Sequence, residues 1–311
     1  MDIYLAKTQG FCAGVSFAVD IVDEALNTYG APLYVYHEIV HNTYVVDGFR
    51  KKGAIFVEKI ADVPEGERII FSAHGVPPSV IKEAKERKLK FVDATCPLVT
   101  KVHNEAVKFS EKKYETVLIG HLGHQELIGT SGYVKPEYLH IVETEEDIDK
   151  LTIDPNANVA YITQTTLSVD ETKIMLEILR KKYKNLNEPP RSDLCFATQN
   201  RQNAVKDLVA YCDFIIICGS PNSSNSNRLR EVGENAGIES CIVDTADEFD
   251  LSLLEGRSKI GISSGASVPR VIVDELIERI QQKYPNTPLH TFENPEKNIV
   301  FKLPEVIQAL K

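Results

Sequence analysis

Three cysteines, each at the point where a short segment ends and a helical pattern begins, constrain the fold of this chain most. Cys12, Cys96 and Cys195 each precede a run with apolar residues at helical spacing. The cysteines lie 84 and 99 residues apart, which is about the length of one small α/β lobe. We therefore predict three lobes, with each cysteine at or near the N-terminus of a helix, where the thiolate form is favoured.

The same order of segments follows each of the three predicted helices. Two apolar, β-branched runs come next, and each ends in a small cluster of Gly, Ser, Thr, Asn, His or Glu residues. Such runs predict buried parallel strands joined by helices. Ligands of parallel α/β sheets bind beyond the carboxyl ends of the strands, so we predict that the six clusters line one central site. The alternative is that each cluster is only a turn.

Charge and composition exclude several classes of protein. The formal net charge is −10, which repels polyphosphate backbones, so we expect no nucleic-acid partner. Neither a run of about 20 apolar residues, the length that spans a bilayer, nor a signal peptide is visible in the sequence. We expect a cytoplasmic protein with no membrane partner.

The six cysteines divide into two groups. A cytoplasmic chain keeps its thiols reduced, and Cys212, Cys218 and Cys241 lie in or beside apolar stretches, which predicts small buried core residues. The other three are candidate metal ligands. With a histidine they would complete a zinc site, although the close C-x₂₋₄-C pairs usual for structural zinc are absent from the sequence. Alternatively, three thiolates on a 4Fe–4S cluster would leave one iron open as a Lewis acid. The residue pattern alone leaves both interpretations open.

Residues in the polar clusters indicate an anionic ligand. The candidates are histidines with hydroxyl and amide donors: His41, His74, His124, Ser223, Ser224, Asn225 and Ser267. Donor-rich loops that precede helices bind phosphate oxygens well. Neither G-x-G-x-x-G nor a Walker A motif is present.

For the other histidines and the polar residues of the middle lobe, an ordinary structural role is either preferred or remains an alternative to a functional one. His37, His103, His140 and His290 are interpreted as ordinary surface or core residues, and His121 is ambiguous. Glu126 is either a proton donor with a pKa raised by burial or an ordinary helix-start glutamate. Thr165 and Thr166 either relay a proton or cap a helix.

Taken together, these motifs resemble the 4-hydroxy-3-methylbut-2-enyl diphosphate reductase family over nearly the whole chain. The motifs are G-F-C-A-G-V at Cys12, E-I-V-H-N at His41, S-A-H-G-V at His74, D-A-T-C-P-L-V at Cys96, G-H-L-G-H-Q-E at Glu126, T-Q-T-T-L-S-V at Thr165, A-T-Q-N-R-Q after Cys195, N-S-S-N-S-N-R-L at Ser223, G-A-S at Ser267, and N-I-V-F near the C-terminus.

The resemblance implies a fold and a domain plan. The fold class is α/β, a trefoil of three pseudo-threefold-related lobes around a central cavity. The expected lobes are residues 1–95, with segment 282–311 returning to them, 96–194 and 195–281.

It also implies a cofactor, a reaction and partners. One 4Fe–4S cluster would be bound by Cys12, Cys96 and Cys195, with one open iron. The substrate diphosphate would be held by the histidine, serine and asparagine set named above, with Thr165 near the allylic hydroxyl and Glu126 supplying protons. Two-electron reductive dehydroxylation would give isopentenyl and dimethylallyl diphosphate, the last step of the non-mevalonate pathway. The expected electron donor is ferredoxin or flavodoxin, and the expected state is a monomer.

Two rival interpretations remain from the residues. Quinolinate synthase has a similar three-lobe, three-cysteine plan but does not explain the histidine and N-S-S-N-S-N set. The other is a zinc-stabilised protein that binds anionic metabolites without catalysis, and metal analysis would separate it from the enzyme, because the enzyme would contain iron and sulfide rather than zinc.

Overall fold

Parallel β-sheets flanked by helices make up this chain. The computed structural model describes residues 1–294, 296 and 299–301. In that part, the strands are β1 (Asp2–Leu5), β2 (Leu33–Tyr36), β3 (Ala54–Val57), β4 (Arg68–Phe71), β5 (Lys90–Asp93), β6 (Glu115–Ile119), β7 (Leu139–Val142), β8 (Asn158–Thr163), β9 (Asn185–Asn187), β10 (Phe214–Cys218), β11 (Ser240–Val243), β12 (Lys259–Ser264) and β13 (Leu289–His290). The α-helices are α1 (Ala13–Tyr29), α2 (Thr43–Lys51), α3 (Pro78–Glu86), α4 (Pro97–Glu111), α5 (Gln125–Ser131), α6 (Glu145–Lys150), α7 (Val169–Lys182), α8 (Phe196–Val209), α9 (Ser224–Asn235) and α10 (Arg270–Lys283).

These strands form three sheets. Their orders are β3-β2-β4-β5, β7-β6-β8-β9 and β11-β10-β12-β1-β13, and every pair is parallel. The predicted α/β class with three lobes is confirmed. Among the described helices, none is long and apolar enough to cross a membrane.

The five-stranded sheet lies in a unit made of Met1–Ser16, Val40–Gly48 and Phe196–Phe301. Both faces of β10 are covered by apolar side chains. Ile216 packs in one cluster with residues of α10, whereas Ile215 and Ile217 pack in another with residues of α8 and α9. Burial on both faces explains why this strand reads as an unbroken apolar run.

The two four-stranded sheets lie in a second unit, described over Phe17–Ile39 and Phe49–Cys195. Strand β6 shows the same two-sided burial. Val117 and Ile119 pack with α7, and Leu118 packs with α4. Strands β6 and β10 are therefore held by side chains that alternate between two apolar layers, and each ends at a polar loop at the carboxyl edge of its sheet.

The strand pairing differs from the predicted lobe ranges in one respect. Residues 1–95 were expected to form one lobe with segment 282–311, but β1 and β13 belong to the sheet of β10–β12. The reason is packing, since Ile3 and Leu5 of β1 share a core cluster with Ile262 of β12. Residues 295, 297, 298 and 302–311 of the predicted returning segment, including Asn298 of N-I-V-F, lie outside the described residues.

Candidate active site

Each of the three cysteines singled out in the sequence directly precedes a helix. Helices α1, α4 and α8 begin at the residue after Cys12, Cys96 and Cys195, as predicted. The Sγ of Cys12 accepts a hydrogen bond from the Val15 N–H at 3.4 Å, and Cys96 is the N-cap of α4. Free N–H groups at a helix start favour a thiolate over a thiol.

The same backbone hydrogen bond holds each of these cysteines. Its N–H donates to a carbonyl oxygen two residues beyond the end of a strand, β12, β4 or β8. The pairs are Cys12 with Ala266, Cys96 with Ala73 and Cys195 with Thr165, at 3.0, 3.0 and 3.1 Å. This repeated contact gives the threefold sequence pattern a structural basis.

Cys212, Cys218 and Cys241 behave differently. Burial raises the pKa of these thiols to about 12, 12 and 11, and Cys212 and Cys218 belong to hydrophobic core clusters. A thiol with so high a pKa stays protonated at neutral pH and is a poor metal ligand. All six cysteines are free of disulfides, and only Cys12, Cys96 and Cys195 combine partial exposure with a helix start.

Glu126 is a buried carboxyl group in the first turn of α5, the helix that follows β6. Its Oε1 accepts from the Thr165 N–H at 2.6 Å, and its Oε2 accepts from the Thr165 hydroxyl at 3.0 Å. Burial raises the pKa of Glu126 to about 7, outweighing the two hydrogen bonds from Thr165, which lower it. Thr165 therefore contacts Glu126 through its N–H and hydroxyl, and Cys195 through its carbonyl oxygen.

His124 and His74 lie side by side in the same unit. His124 is the N-cap of α5, and its Nδ1 accepts from the Glu126 N–H at 3.1 Å. An accepting Nδ1 carries no proton, so the neutral ring has its N–H at Nε2. The ring of His74, whose Nδ1 lies 3.3 Å from the Ser72 hydroxyl, meets that of His124 edge-on at 5.9 Å between centroids.

The other unit contains Ser267 and Asn225, two residues of the predicted ligand set. The Ser267 hydroxyl donates to the His41 carbonyl oxygen at 2.9 Å. Asn225 is 5% exposed, and neither polar atom of its amide has a hydrogen-bond partner among the described residues. A buried amide without partners costs stability, so this side chain suits a polar ligand.

Three of these residues occupy the same position relative to a strand. His41, His124 and Ser223 are each the fifth residue after the end of β2, β6 or β10. His124 and Ser223 are N-caps of the helices that follow, α5 and α9, and Ser224 is the first residue of α9. The predicted ligand set is thus distributed over equivalent loops of the three sheets.

The structure brings the predicted residues together in two groups. One unit joins Glu126, Thr165 and the backbone of Cys195, with His124 beside His74. The other joins Ser267 to His41, and Cys12 to the loop of Ser267. Within the described residues, no three His, Cys, Asp or Glu side chains form a group that could hold a metal ion.

The remaining histidines have structural partners. His37, His121, His140 and His290 pair with Glu58, Glu143, Glu115 and Asp2. His103 is buried and stacks on Tyr133 with ring centroids 4.3 Å apart. The ordinary roles predicted for His37, His103, His140 and His290 agree with these contacts.

Sequence reasoning missed Asp193 and Asn42. Asp193 accepts a hydrogen bond from the Thr163 N–H at 3.0 Å and contributes to the raised pKa of Glu126. Asn42 caps α2 through a hydrogen bond from the Val45 N–H at 3.0 Å, while its amide nitrogen is buried without a partner among the described residues. The sequence signal for them is position, since Asp193 lies two residues before Cys195 and Asn42 directly follows His41.

This chain is similar to known proteins of one family over most of its length. A family model described as "LytB protein" matches residues 3–281. The 4-hydroxy-3-methylbut-2-enyl diphosphate reductase of Methylococcus capsulatus is 46% identical over 312 residues, covering 100% of this chain and 99% of the relative. The enzyme of the same name from Nitrosomonas europaea is 50% identical over 282 residues, covering 90% and 87%.

A solved structure extends the comparison to the fold. The E-1-hydroxy-2-methyl-but-2-enyl-4-diphosphate reductase from Plasmodium falciparum has a TM-score of 0.95 and 37% identity, covering 99% of this chain and 96% of that one. The chain therefore belongs to the LytB family, whose relatives bear the name 4-hydroxy-3-methylbut-2-enyl diphosphate reductase.

Proposed function

We propose that this chain reduces 4-hydroxy-3-methylbut-2-enyl diphosphate to isopentenyl and dimethylallyl diphosphate, the last step of the non-mevalonate isoprenoid pathway. Family membership supports this reaction. The observation that carries the proposal is the buried Glu126 carboxyl, bonded to Thr165 and with a pKa raised to about 7. Loss of a hydroxyl group as water needs such a proton donor, because hydroxide is a poor leaving group.

Cys12, Cys96 and Cys195 would hold a 4Fe–4S cluster. Their chemistry fits this group, since each sulfur lies at a helix start, where a thiolate is stabilised, and each side chain is partly exposed. A cluster with three protein ligands supplies electrons and one iron without a protein ligand, which acts as a Lewis acid. Cys212, Cys218 and Cys241 are less suited as ligands, because burial raises the pKa of each thiol.

The diphosphate would be bound by side chains on equivalent strand-end loops. His41, His74 and His124 belong to this set, with the hydroxyl and amide groups of Ser223, Ser224, Asn225 and Ser267. His124 presents an Nε2 proton because its Nδ1 already accepts from the Glu126 N–H. The unpartnered amide of Asn225 supports the same assignment, since a phosphate oxygen would satisfy its donor.

Glu126 would deliver the proton to the leaving hydroxyl. A carboxyl group with a pKa near 7 is protonated in a large fraction of molecules at neutral pH. The Thr165 hydroxyl, 3.0 Å from Oε2, would orient that proton and contact the allylic hydroxyl of the substrate. Overall, the substrate takes up two electrons and two protons and releases one water.

The electrons would come from an external donor, a reduced ferredoxin or flavodoxin, which docks weakly and transiently. We further propose that the protein works as a monomer in the cytoplasm. These three statements rest on the sequence and on the resemblance to the family.

The test is metal analysis and turnover of the full chain purified without oxygen. We expect about four iron and four sulfide per chain, and turnover of the allylic diphosphate with a chemically reduced viologen as donor. Glu126→Gln keeps hydrogen bonding but has no proton to donate, so its turnover should be lower by about 10²-fold or more, with the cluster retained.

Glu115→Gln is the matched control. Glu115 lies at the start of β6, pairs with His140 and is half-buried, so its variant should turn over at the wild-type rate. Zinc without iron, or turnover of quinolinate precursors instead, would overturn the proposed function. A Glu126→Gln protein as active as wild type would move the proton donor to another residue.

A further inference from the structure

Lys101 holds the loop that leads to Cys195. This residue lies on α4, the helix that begins directly after Cys96. Its ammonium group donates to the carbonyl oxygens of Arg191 and Ser192 at 2.9 and 3.2 Å, and to Asp193 Oδ1 at 2.8 Å. One side chain therefore fixes three consecutive residues immediately before Leu194 and Cys195.

Lys101 is one of several side chains that hold this loop, since Arg180 also donates to Glu188 at its start. Residues 188–195 contain neither helix nor strand, so their position depends on side-chain and loop contacts. Asp193 is fully buried at its side chain, and its Oδ2 accepts from the Thr163 N–H. Lys101 thus supplies the charge that compensates a buried carboxylate at the carboxyl end of β8.

Arg201 makes an equivalent connection in the other unit. It lies on α8, the helix that begins directly after Cys195, and is 1% exposed. Its guanidinium donates to the Gly10 carbonyl oxygen at 2.7 Å and to Glu296 Oε2 at 3.0 Å. Gly10 lies two residues before Cys12, and its N–H donates to the Ser264 hydroxyl at the end of β12.

We propose that Lys101 and Arg201 are positioning residues, each of which ties the helix after one cysteine to the loop that carries another. Lys101 fixes the backbone just before Cys195, and Arg201 fixes the backbone just before Cys12. This proposal rests on the proposed cluster-binding function. It states that Lys101 and Arg201 hold the cysteine ligands in position and do not merely stabilise the fold. Groups that orient metal ligands act through the ligand's position, and their loss weakens metal binding.

The alternative is that the two cations only stabilise the fold, and the chain contains suitable controls for that. Lys182 donates to the carbonyl oxygens of Ile148 and Asp149, and Arg279 donates to those of Ala246 and Phe249. Both make the same kind of contact, one in each unit, away from the three cysteines in sequence. Lys182→Met and Arg279→Met therefore remove hydrogen bonds from a cation to two backbone carbonyl groups without touching a cysteine loop.

The experiment compares Lys101→Met and Arg201→Met with these two controls. Amide hydrogen exchange on the apo-protein reports on the loops before Cys195 and Cys12, and iron release to a chelator reports on the reconstituted protein. We expect Lys101→Met to speed exchange in residues 190–195, and Arg201→Met in residues 9–12, by about tenfold or more, with iron release faster by about 10- to 100-fold. In the controls both rates should stay within about twofold of wild type.

If a methionine variant is unstable, two further variants still test the proposal: a conservative substitution of Lys101 and a second substitution that compensates Arg201→Met. Lys101→Arg should retain most iron, because the charge and the donors remain. Arg201→Met with Glu296→Gln removes the uncompensated carboxylate and should restore stability, while exchange in residues 9–12 stays fast. If exchange and iron release instead follow thermal stability across all variants and controls, the positioning role is wrong. A wild-type protein without iron would contradict the proposed function, and the exchange rates on the apo-protein would still decide whether the two cations fix these loops.

Discussion

Burial of the Glu126 carboxyl has a consequence for stability as well as for proton transfer. Glu126 is 3% exposed, and its pKa is raised from 4.5 to about 7, chiefly by burial. Below pH 4.5 the group is protonated in both the folded and the unfolded state. As the pH rises towards 7 the unfolded state ionises first, so stability is lost through this interval and the loss is complete above it.

We therefore predict that apo wild-type protein loses stability relative to Glu126→Gln as the pH rises from about 5 to about 8. The expected change in the difference is on the order of 3 kcal/mol, since one pKa unit corresponds to about 1.4 kcal/mol. Other titrating groups, such as Glu105, are present in both proteins and cancel. Chemical unfolding at several pH values measures the difference, and a difference independent of pH would contradict the burial of a protonated Glu126.

In the loop between β4 and α3, Gly75 is the residue at which a side chain would be tolerated least. Its φ is +80°, and an added Cβ would lie 2.5 Å from His103 Cε1. Burial lowers the pKa of His103 to about 4, so the ring is neutral, and its stacking on Tyr133 leaves it little freedom to move. The ring beneath Gly75 thus supports the loop that carries His74.

Gly66 provides a matched control for that position. Its φ is also +80°, but nothing lies within 4 Å of an added Cβ. Alanine should cost about 1–2 kcal/mol at both positions for the left-handed backbone, and about 1–3 kcal/mol more at Gly75 for overpacking. Chemical unfolding measures both losses, and substrate titration should show weaker binding only in Gly75→Ala. Equal losses of stability in the two variants would show that the His103 ring moves aside at no cost in free energy.

Local patterns in the sequence predicted the elements well because each lobe repeats them. β-Branched runs such as Phe214–Cys218 and helical spacing after Cys96 are local signals, and the structure has a strand and a helix there. The sheet partner of β1 was not predictable in this way, since the pairing of Ile3 with Ile260 joins residues far apart in sequence. Lys101 and Asp193 were missed for the same reason, because their contact joins a helix to a distant loop.

Over the whole chain, the two classes of cysteine should differ in chemical reactivity. Cys212, Cys218 and Cys241 are kept as thiols by pKa values of about 12, 12 and 11, and alkylation needs the thiolate. Cys12, Cys96 and Cys195 are partly exposed at helix starts. The folded apo-protein should therefore show three fast and three slow cysteines.

We predict that iodoacetamide at neutral pH labels Cys12, Cys96 and Cys195 at least about 10²-fold faster than the other three, because the raised pKa of those three leaves them almost no thiolate. Peptide mass spectrometry identifies the labelled sites. Reconstitution with iron and sulfide should protect these three together, and serine at any one of them should abolish most iron binding, since an alkoxide is a poor ligand for iron in a cluster. Serine at Cys212, the control, should leave iron content unchanged and cost only packing energy. Full iron loading in Cys96→Ser, or labelling of Cys218 before Cys96, would contradict the assignment of the ligands.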